Sequence, residues 1–202
     1  MTRGWPLPAS LFWTLLGITA LVLLLQALPP DVQHLLRYER AALLQGQWWR
    51  SLTGHVLHLS WTHALLNLAG LWLCCGLAGA GQSSRGLSGP GLMARLAGLG
   101  LGVSALLCVL SPSVAHYVGL SGILYGLLVG LMGPQGLNGD RTALAITLAV
   151  MAWAAWQAVT GAPPREEALI GGAIITQAHL YGIVTAVTLW ACGQLLRRAT
   201  RR

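Results

Sequence analysis

The sequence predicts an all-α polytopic membrane protein with six transmembrane helices, the fourth of them short. Three observations lead there. The chain has 202 residues, of which 55% are hydrophobic and only 8% charged; a soluble domain carries roughly 25% charged residues. Its mean hydropathy is +0.65. Apolar stretches recur at 8–28, 61–80, 91–110, 119–133, 141–160 and 171–195. So few charges cannot cover a soluble fold of this size, and so apolar a chain is not disordered. The length suits a single six-helix membrane domain over 1–202.

A spanning helix needs about 20 residues at a rise of about 1.5 Å each. Five of the stretches reach that length and the fourth does not. Pro29-Pro30 stops the first helix. A Gly/Ser-rich turn from Gly79 to Gly91, with Arg85, follows the second, and Ser111-Pro112 opens the third connection. Gly133-Pro134 through Gly139-Asp140 forms the fourth. Gly161-Ala162-Pro163-Pro164 starts the fifth, which carries Arg165, Glu166 and Glu167. The long connection 29–60 is mixed and contains Trp48 and Trp49, which suits the membrane interface. The first stretch, flanked by Arg3, resembles a signal peptide without a small-residue cleavage site, and is read as an uncleaved helix.

Six spans put both termini on one side. Arg3, Arg85, Arg95, Arg141, Arg197, Arg198, Arg201 and Arg202 fall there, against Arg37, Arg40, Arg50 and Arg165 opposite. The excess of Arg predicts cytoplasmic termini. The net charge of +7 is accounted for by this topology. The charges neither cluster on a polar face nor interleave with aromatics, so no nucleic-acid partner is expected. Cys74, Cys75, Cys108 and Cys192 lie in apolar runs without a CxxC spacing, which fits small packing residues. The absence of an internal repeat argues against a transporter of inverted halves.

Polar groups inside a bilayer are functional candidates. His63 and Asn67 fall in the second stretch, Ser121 opens the fourth and His179 falls in the sixth, all in the outer half. If the fourth helix runs from Ser121 to Met132 it is about 18 Å long in a core of about 30 Å, leaving Ser121 about 12 Å below the outer surface. Counting from Gly171, His179 lies about 12 Å deep as well. Singly, Ser121 reads as a serine bonded to the carbonyl one turn back and His179 equally well as a structural histidine; at matched depth the two can pair, which suggests a nucleophile and its base. His63 and Asn67 share a helix face and offer N–H donors for an oxyanion. The plainer reading of that pair is an interhelical hydrogen bond. Gly122, Gly126 and Gly130 form a stripe that Ala178, Gly182 and Ala186 match, so the two helices can approach closely. Tyr125 stacks on His179 or fills space.

Gly-Leu-Ser-Gly occurs at both 86–89 and 119–122. Ser88 is set aside because its copy lies in a polar cytoplasmic turn away from any His. Neither copy fits a strand–turn–helix nucleophile elbow, since position 123 is Ile.

These residues resemble the rhomboid family of intramembrane serine proteases. The similarity runs in order through Trp49-Arg50, then His58 with His63-Ala64-Leu65-Leu66-Asn67, then Gly119-Leu120-Ser121-Gly122 with Tyr125, then Ala178-His179 with Gly182. It implies a rhomboid-like bundle around a short central fourth helix. Ser121 would be the nucleophile and His179 the general base, with no acid completing a triad. His63, Asn67 and the Ser121 backbone N–H would hold the oxyanion, and no metal or cofactor would be needed. Ala186 departs from the second Gly of many rhomboids. The Gly54-His55-x-x-His58 run resembles the rhombosortase subgroup. That implies exported transmembrane substrates with C-terminal Gly-Gly-type anchors, cleaved on the outer side of a bacterial inner membrane.

Gly54, His55, His58 and Ser60 are expected to form a wet approach to Ser121, with the fifth span and 161–164 as a lateral gate and membrane lipid around them. Two rivals stand beside this reading. One is a metal or haem protein using His55, His58 and His63, though their spacing is not a usual zinc pattern. The other is an inactive rhomboid-like protein that binds membrane clients.

Overall fold

A computed structural model describes residues 7–80 and 87–200. Arg3, Arg85, Arg201 and Arg202, and with them residues 81–86 of the expected Gly/Ser turn, lie outside the described residues.

Helix α1 is Ala9–Gln26, and Pro29-Pro30 ends its course and opens α2, Pro30–Leu36. Strand β1 (Tyr38–Glu39), α3 (Arg40–Leu44) and α4 (Arg50–Thr53) follow, with a 3₁₀ turn at Gly54–Val56. Next come α5 (Trp61–Ala80), α6 (Gly89–Leu110), β2 (His116–Tyr117) and α7 (Ser121–Leu137). The chain closes with α8 (Arg141–Thr160), α9 (Pro164–Ile170) and α10 (Thr176–Ala199). Helices α1, α5, α6, α8 and α10 are long and apolar enough to cross a membrane; α7 is a shorter apolar helix. The protein is thus an all-α, multi-spanning membrane bundle. Many large apolar side chains point outward, Trp13, Leu24, Val109 and Val159 among them, as expected where lipid replaces water around helices whose backbone groups are internally bonded.

Local chemistry sets several helix ends. The Ser88 hydroxyl caps α6 by accepting from Gly91 N–H at 3.2 Å, so the rejected serine is a helix cap. Asp140 Oδ1 caps α8 by accepting from Ala143 N–H at 3.0 Å. Gly171, at φ +86°, ends α9 in the left-handed region.

Several helix limits shift from expectation, two of them with consequences for the site. Helix α7 does not stop at Gly133-Pro134 but continues to Leu137. Proline removes one ladder donor near the helix end, yet the last turn is held from outside. A side chain at Gly136 would lie only 2.8 Å from the Leu144 backbone, so α7 and α8 touch there. Helix α10 starts at Thr176, not Gly171, because Gly171-Gly172 closes α9 and an irregular segment follows. The depth count from Gly171 therefore used the wrong origin: His179 stands in the first turn of α10, as Ser121 stands in the first turn of α7.

Helix α7 packs against α5, α6, α8 and α10. The α7–α10 contact is the closest: a side chain at Gly182 would collide with the Gly122 carbonyl, and one at Gly126 with the Gly182 carbonyl. A Cβ at Gly130 would meet Ala186 at an ordinary 3.7 Å, so the third position of the α10 stripe accommodates Ala. Leu11, Leu15, Leu71, Leu92, Leu99, Ile123 and Leu127 fill the main core. Cys74, Cys75 and Cys108 are buried and Cys192 exposed, all as free thiols.

Candidate active site

Ser121 and His179 open their helices at the same end of the bundle. His179 Nε2 lies 3.0 Å from Ser121 Oγ. The glycine contacts between α7 and α10 are what allow this: with any larger residue at Gly122 or Gly182 the two backbones could not close. Tyr125, one turn along α7, stacks on the His179 ring with centroids 4.2 Å apart and planes 6° from parallel.

Both residues line a cavity of about 560 Å³ shared with His58, His63, Asn67, Tyr117, Tyr125 and residues of the first connection. His63 Nδ1 accepts from Leu59 N–H at 3.3 Å, which leaves the His63 proton on Nε2. That nitrogen faces Gly119, where a Cβ would sit 3.1 Å from it. Gly119 also adopts φ +126°, so this turn before Ser121 requires glycine on two counts. Asn67 Nδ2 donates to the His63 carbonyl at 3.2 Å, and the amide carries a second N–H. The Ser121 backbone N–H belongs to the first turn of α7, whose N–H groups have no intrahelical acceptor. The chemistry available is a hydroxyl beside an imidazole, flanked by N–H donors.

The first connection frames this cavity. Tyr38 pairs with Tyr117 and Glu39 with His116 in a two-stranded antiparallel ribbon. Tyr117 Oη donates to the Gly119 carbonyl at 2.7 Å, and burial pushes the phenol up to about 12, so it stays a donor. Gly54, the first residue of the 3₁₀ turn, packs on the Tyr38 backbone and accepts from Gly119 N–H through its carbonyl at 3.1 Å.

Trp49 and Arg50 do not enter the cavity. Arg50 is buried and ties the connection together: Nη1 donates to the carbonyls of His34 at 2.8 Å and Arg37 at 3.0 Å, and Nε to Gln47 Oε1 at 2.6 Å. Trp49 is 51% exposed and donates to the Leu35 carbonyl at 3.3 Å. The expected wet approach is corrected at three of its four residues. Gly54 lies under Tyr38. His55 is buried away from the cavity, its Nε2 3.0 Å from both the Gly100 carbonyl and Ser104 Oγ. Ser60 accepts from His63 N–H as a cap of α5 and donates to the Ile170 carbonyl at 2.7 Å. Only His58 lines the cavity. It makes an edge contact with His63 at 4.9 Å, and neither ring nitrogen has a hydrogen-bond partner among the described residues. Burial, then the neighbouring His63, push His58 down to about 3; burial holds His55 at about 4 against its hydrogen bonds to backbone. Among the described residues no three His, Cys, Asp or Glu side chains converge as a metal-ligand set.

Sequence reasoning passed over Gln157. It lies on α8, is 1% exposed, and presents Oε1 3.2 Å from His179 Nδ1. Its Nε2 donates to Glu166 Oε2 on α9 at 3.2 Å. A carboxylate thus reaches the pair indirectly, where none was expected. An amide within the apolar run 141–160 was the available signal.

No curated protein matches the sequence. A model of the Rhomboid domain matches residues 45–194, which includes every residue of the cavity's α5, α7 and α10 walls and leaves out residues 1–44 and 195–202. With that match over most of its length, the chain belongs to the rhomboid family.

Proposed function

We propose that the protein is an intramembrane serine endopeptidase in which Ser121 is the nucleophile and His179 the general base. The observation that carries this reading is the 3.0 Å separation of Ser121 Oγ and His179 Nε2 in a cavity lined with N–H donors. Ser121 Oγ attacks the scissile carbonyl carbon and passes its proton to His179 Nε2. The carbonyl oxygen becomes an oxyanion, held by His63 Nε2–H, an Asn67 amide N–H and the Ser121 backbone N–H. His179 then gives its proton to the leaving amine as the C–N bond breaks. Water attacks the acyl-enzyme with His179 again as base, releasing the carboxylic acid and restoring Ser121.

In this reading α7 is the fourth of six spans, both termini are cytoplasmic and the cavity opens on the outer side of a bacterial inner membrane. The distribution of Arg supports that orientation. The substrates are exported proteins held by a transmembrane segment. The Gly54-His55-x-x-His58 run favours rhombosortase-like clients with a C-terminal Gly-Gly-type anchor. A substrate glycine would ease local unwinding of its helix before attack. Helix α8 and residues 161–164 serve as the lateral gate.

The test is cleavage of a reconstituted membrane-anchored substrate carrying Gly-Gly before its apolar helix, beside a copy with Leu-Leu there. Cleavage of the first alone, lost in Ser121→Ala and in His179→Ala, is the expected result. Persistent cleavage in either variant rejects the dyad, equal cleavage of both substrates rejects the subgroup, and binding without cleavage favours a client-binding protein.

A further inference from the structure

Both ring nitrogens of His179 are engaged, and the partner of the second lies on neither α7 nor α10. Gln157 Oε1 is 3.2 Å from Nδ1, and Gln157 Nε2 donates to Glu166 Oε2 at 3.2 Å. A primary amide buried in an apolar helix is costly unless both ends are bonded. Here both are. Glu166 is itself well placed to direct it, because α9 is tied down: Ser60 donates to the Ile170 carbonyl, and Glu167 Oε1 accepts from Ile174 N–H at 3.0 Å.

The donors and acceptors leave one consistent arrangement. An ionised carboxylate only accepts, so the amide must turn its NH₂ toward Glu166. Its carbonyl then faces His179 Nδ1. A carbonyl also only accepts, so Nδ1 must carry the ring proton. A neutral imidazole protonated at Nδ1 has its lone pair on Nε2, the atom beside Ser121 Oγ. A flipped amide would set oxygen against carboxylate oxygen and force the proton onto Nε2, where it could not accept from serine.

We propose that Gln157, oriented by Glu166, is a positioning residue that holds His179 in the tautomer able to take the Ser121 proton. This inference rests on the serine-protease reading above. The neutral carbonyl fixes the proton and the ring plane without setting a full charge against the imidazole. Glu166 acts one bond further out, through the amide it orients.

Two measurements on the full-length protein test it. In ¹⁵N-histidine-labelled protein, with the His179 signals assigned by their loss in His179→Gln, NMR should find Nδ1 protonated and Nε2 bare. In Gln157→Leu, an apolar change suited to a buried membrane site, both tautomers should appear. The rate at which a fluorophosphonate labels Ser121 should fall about tenfold or more in Gln157→Leu, because the wrong tautomer cannot accept the serine proton. The exchange variant Gln157→Glu with Glu166→Gln restores an acceptor facing Nδ1 and a donor facing that acceptor, and should recover most of the rate. A wild-type His179 protonated at Nε2, or Gln157→Leu labelled at the wild-type rate, overturns the proposal. Failure of the wild type to label at Ser121 strikes instead at the protease reading, while the tautomer measurement still decides the role of Gln157.

Discussion

The Tyr125 ring lies flat on the His179 imidazole, 4.2 Å away and within 6° of parallel. The imidazole is thus held on its face by Tyr125 and on its edge by Gln157. An aromatic pair of this kind contributes about 0.5–1.5 kcal/mol beyond burial. Tyr125→Leu should therefore slow Ser121 labelling by about threefold to tenfold, and Tyr125→Phe, which keeps the stack, should stay near wild type. Labelling rates with the fluorophosphonate measure both.

Gly182 and Gly130 predict opposite outcomes for the same substitution. Gly182→Ala drives a methyl into the Gly122 carbonyl, and the α7 backbone cannot yield as a side chain would. Overpacking of this kind costs about 1–3 kcal/mol, and it parts Ser121 from His179. Activity should fall at least a hundredfold, with a lower melting temperature in detergent. Gly130→Ala meets Ala186 at 3.7 Å and should leave both nearly unchanged.

Asn67 and His63 are the side-chain donors of the proposed oxyanion site. Losing one oxyanion donor typically lowers kcat about 10²- to 10³-fold. Asn67→Ala should do so with KM almost unaltered. A change confined to KM would assign Asn67 to ground-state binding. Its bond to the His63 carbonyl would then be its main function.

Stability should fall in mild acid. Burial holds His55 at about 4 and His58 at about 3, below the ordinary imidazole value of 6.5. Between 6.5 and those values the unfolded chain binds protons that the folded chain refuses. Folded pKa values are depressed, so the stability present above 6.5 is lost as pH falls toward 4. At pH 5 each histidine costs about 2 kcal/mol. Melting temperatures at pH 7 and pH 5 should differ, and His58→Gln should narrow the difference.

Much of this was legible because lipid simplifies the sequence. Apolar runs marked the long helices, and glycines at four-residue spacing marked the face where α7 meets α10. A serine and a histidine stood out because polar chemistry is scarce in such helices. The ends of α7 and α10 were not legible. Pro134 reads locally as a stop, yet the helix runs to Leu137, its last turn closed by Asn138 N–H on the Pro134 carbonyl and packed on α8. Gly171-Gly172 closes a short helix that composition merges with the next. The ribbon of Tyr38 with Tyr117 is two residues long and leaves no alternating pattern to read. Gln157 was overlooked because its role depends on a partner on another helix and a carboxylate beyond it.

The most direct test of the central claim is the site of a fluorophosphonate adduct, mapped by mass spectrometry of the purified protein. Two serines share the same tetrapeptide, but Ser88 caps α6 and Ser121 faces His179. A single adduct on Ser121, absent from His179→Ala, is the expected result. An adduct on Ser88, or labelling of Ser121 that persists undiminished without His179, would contradict it.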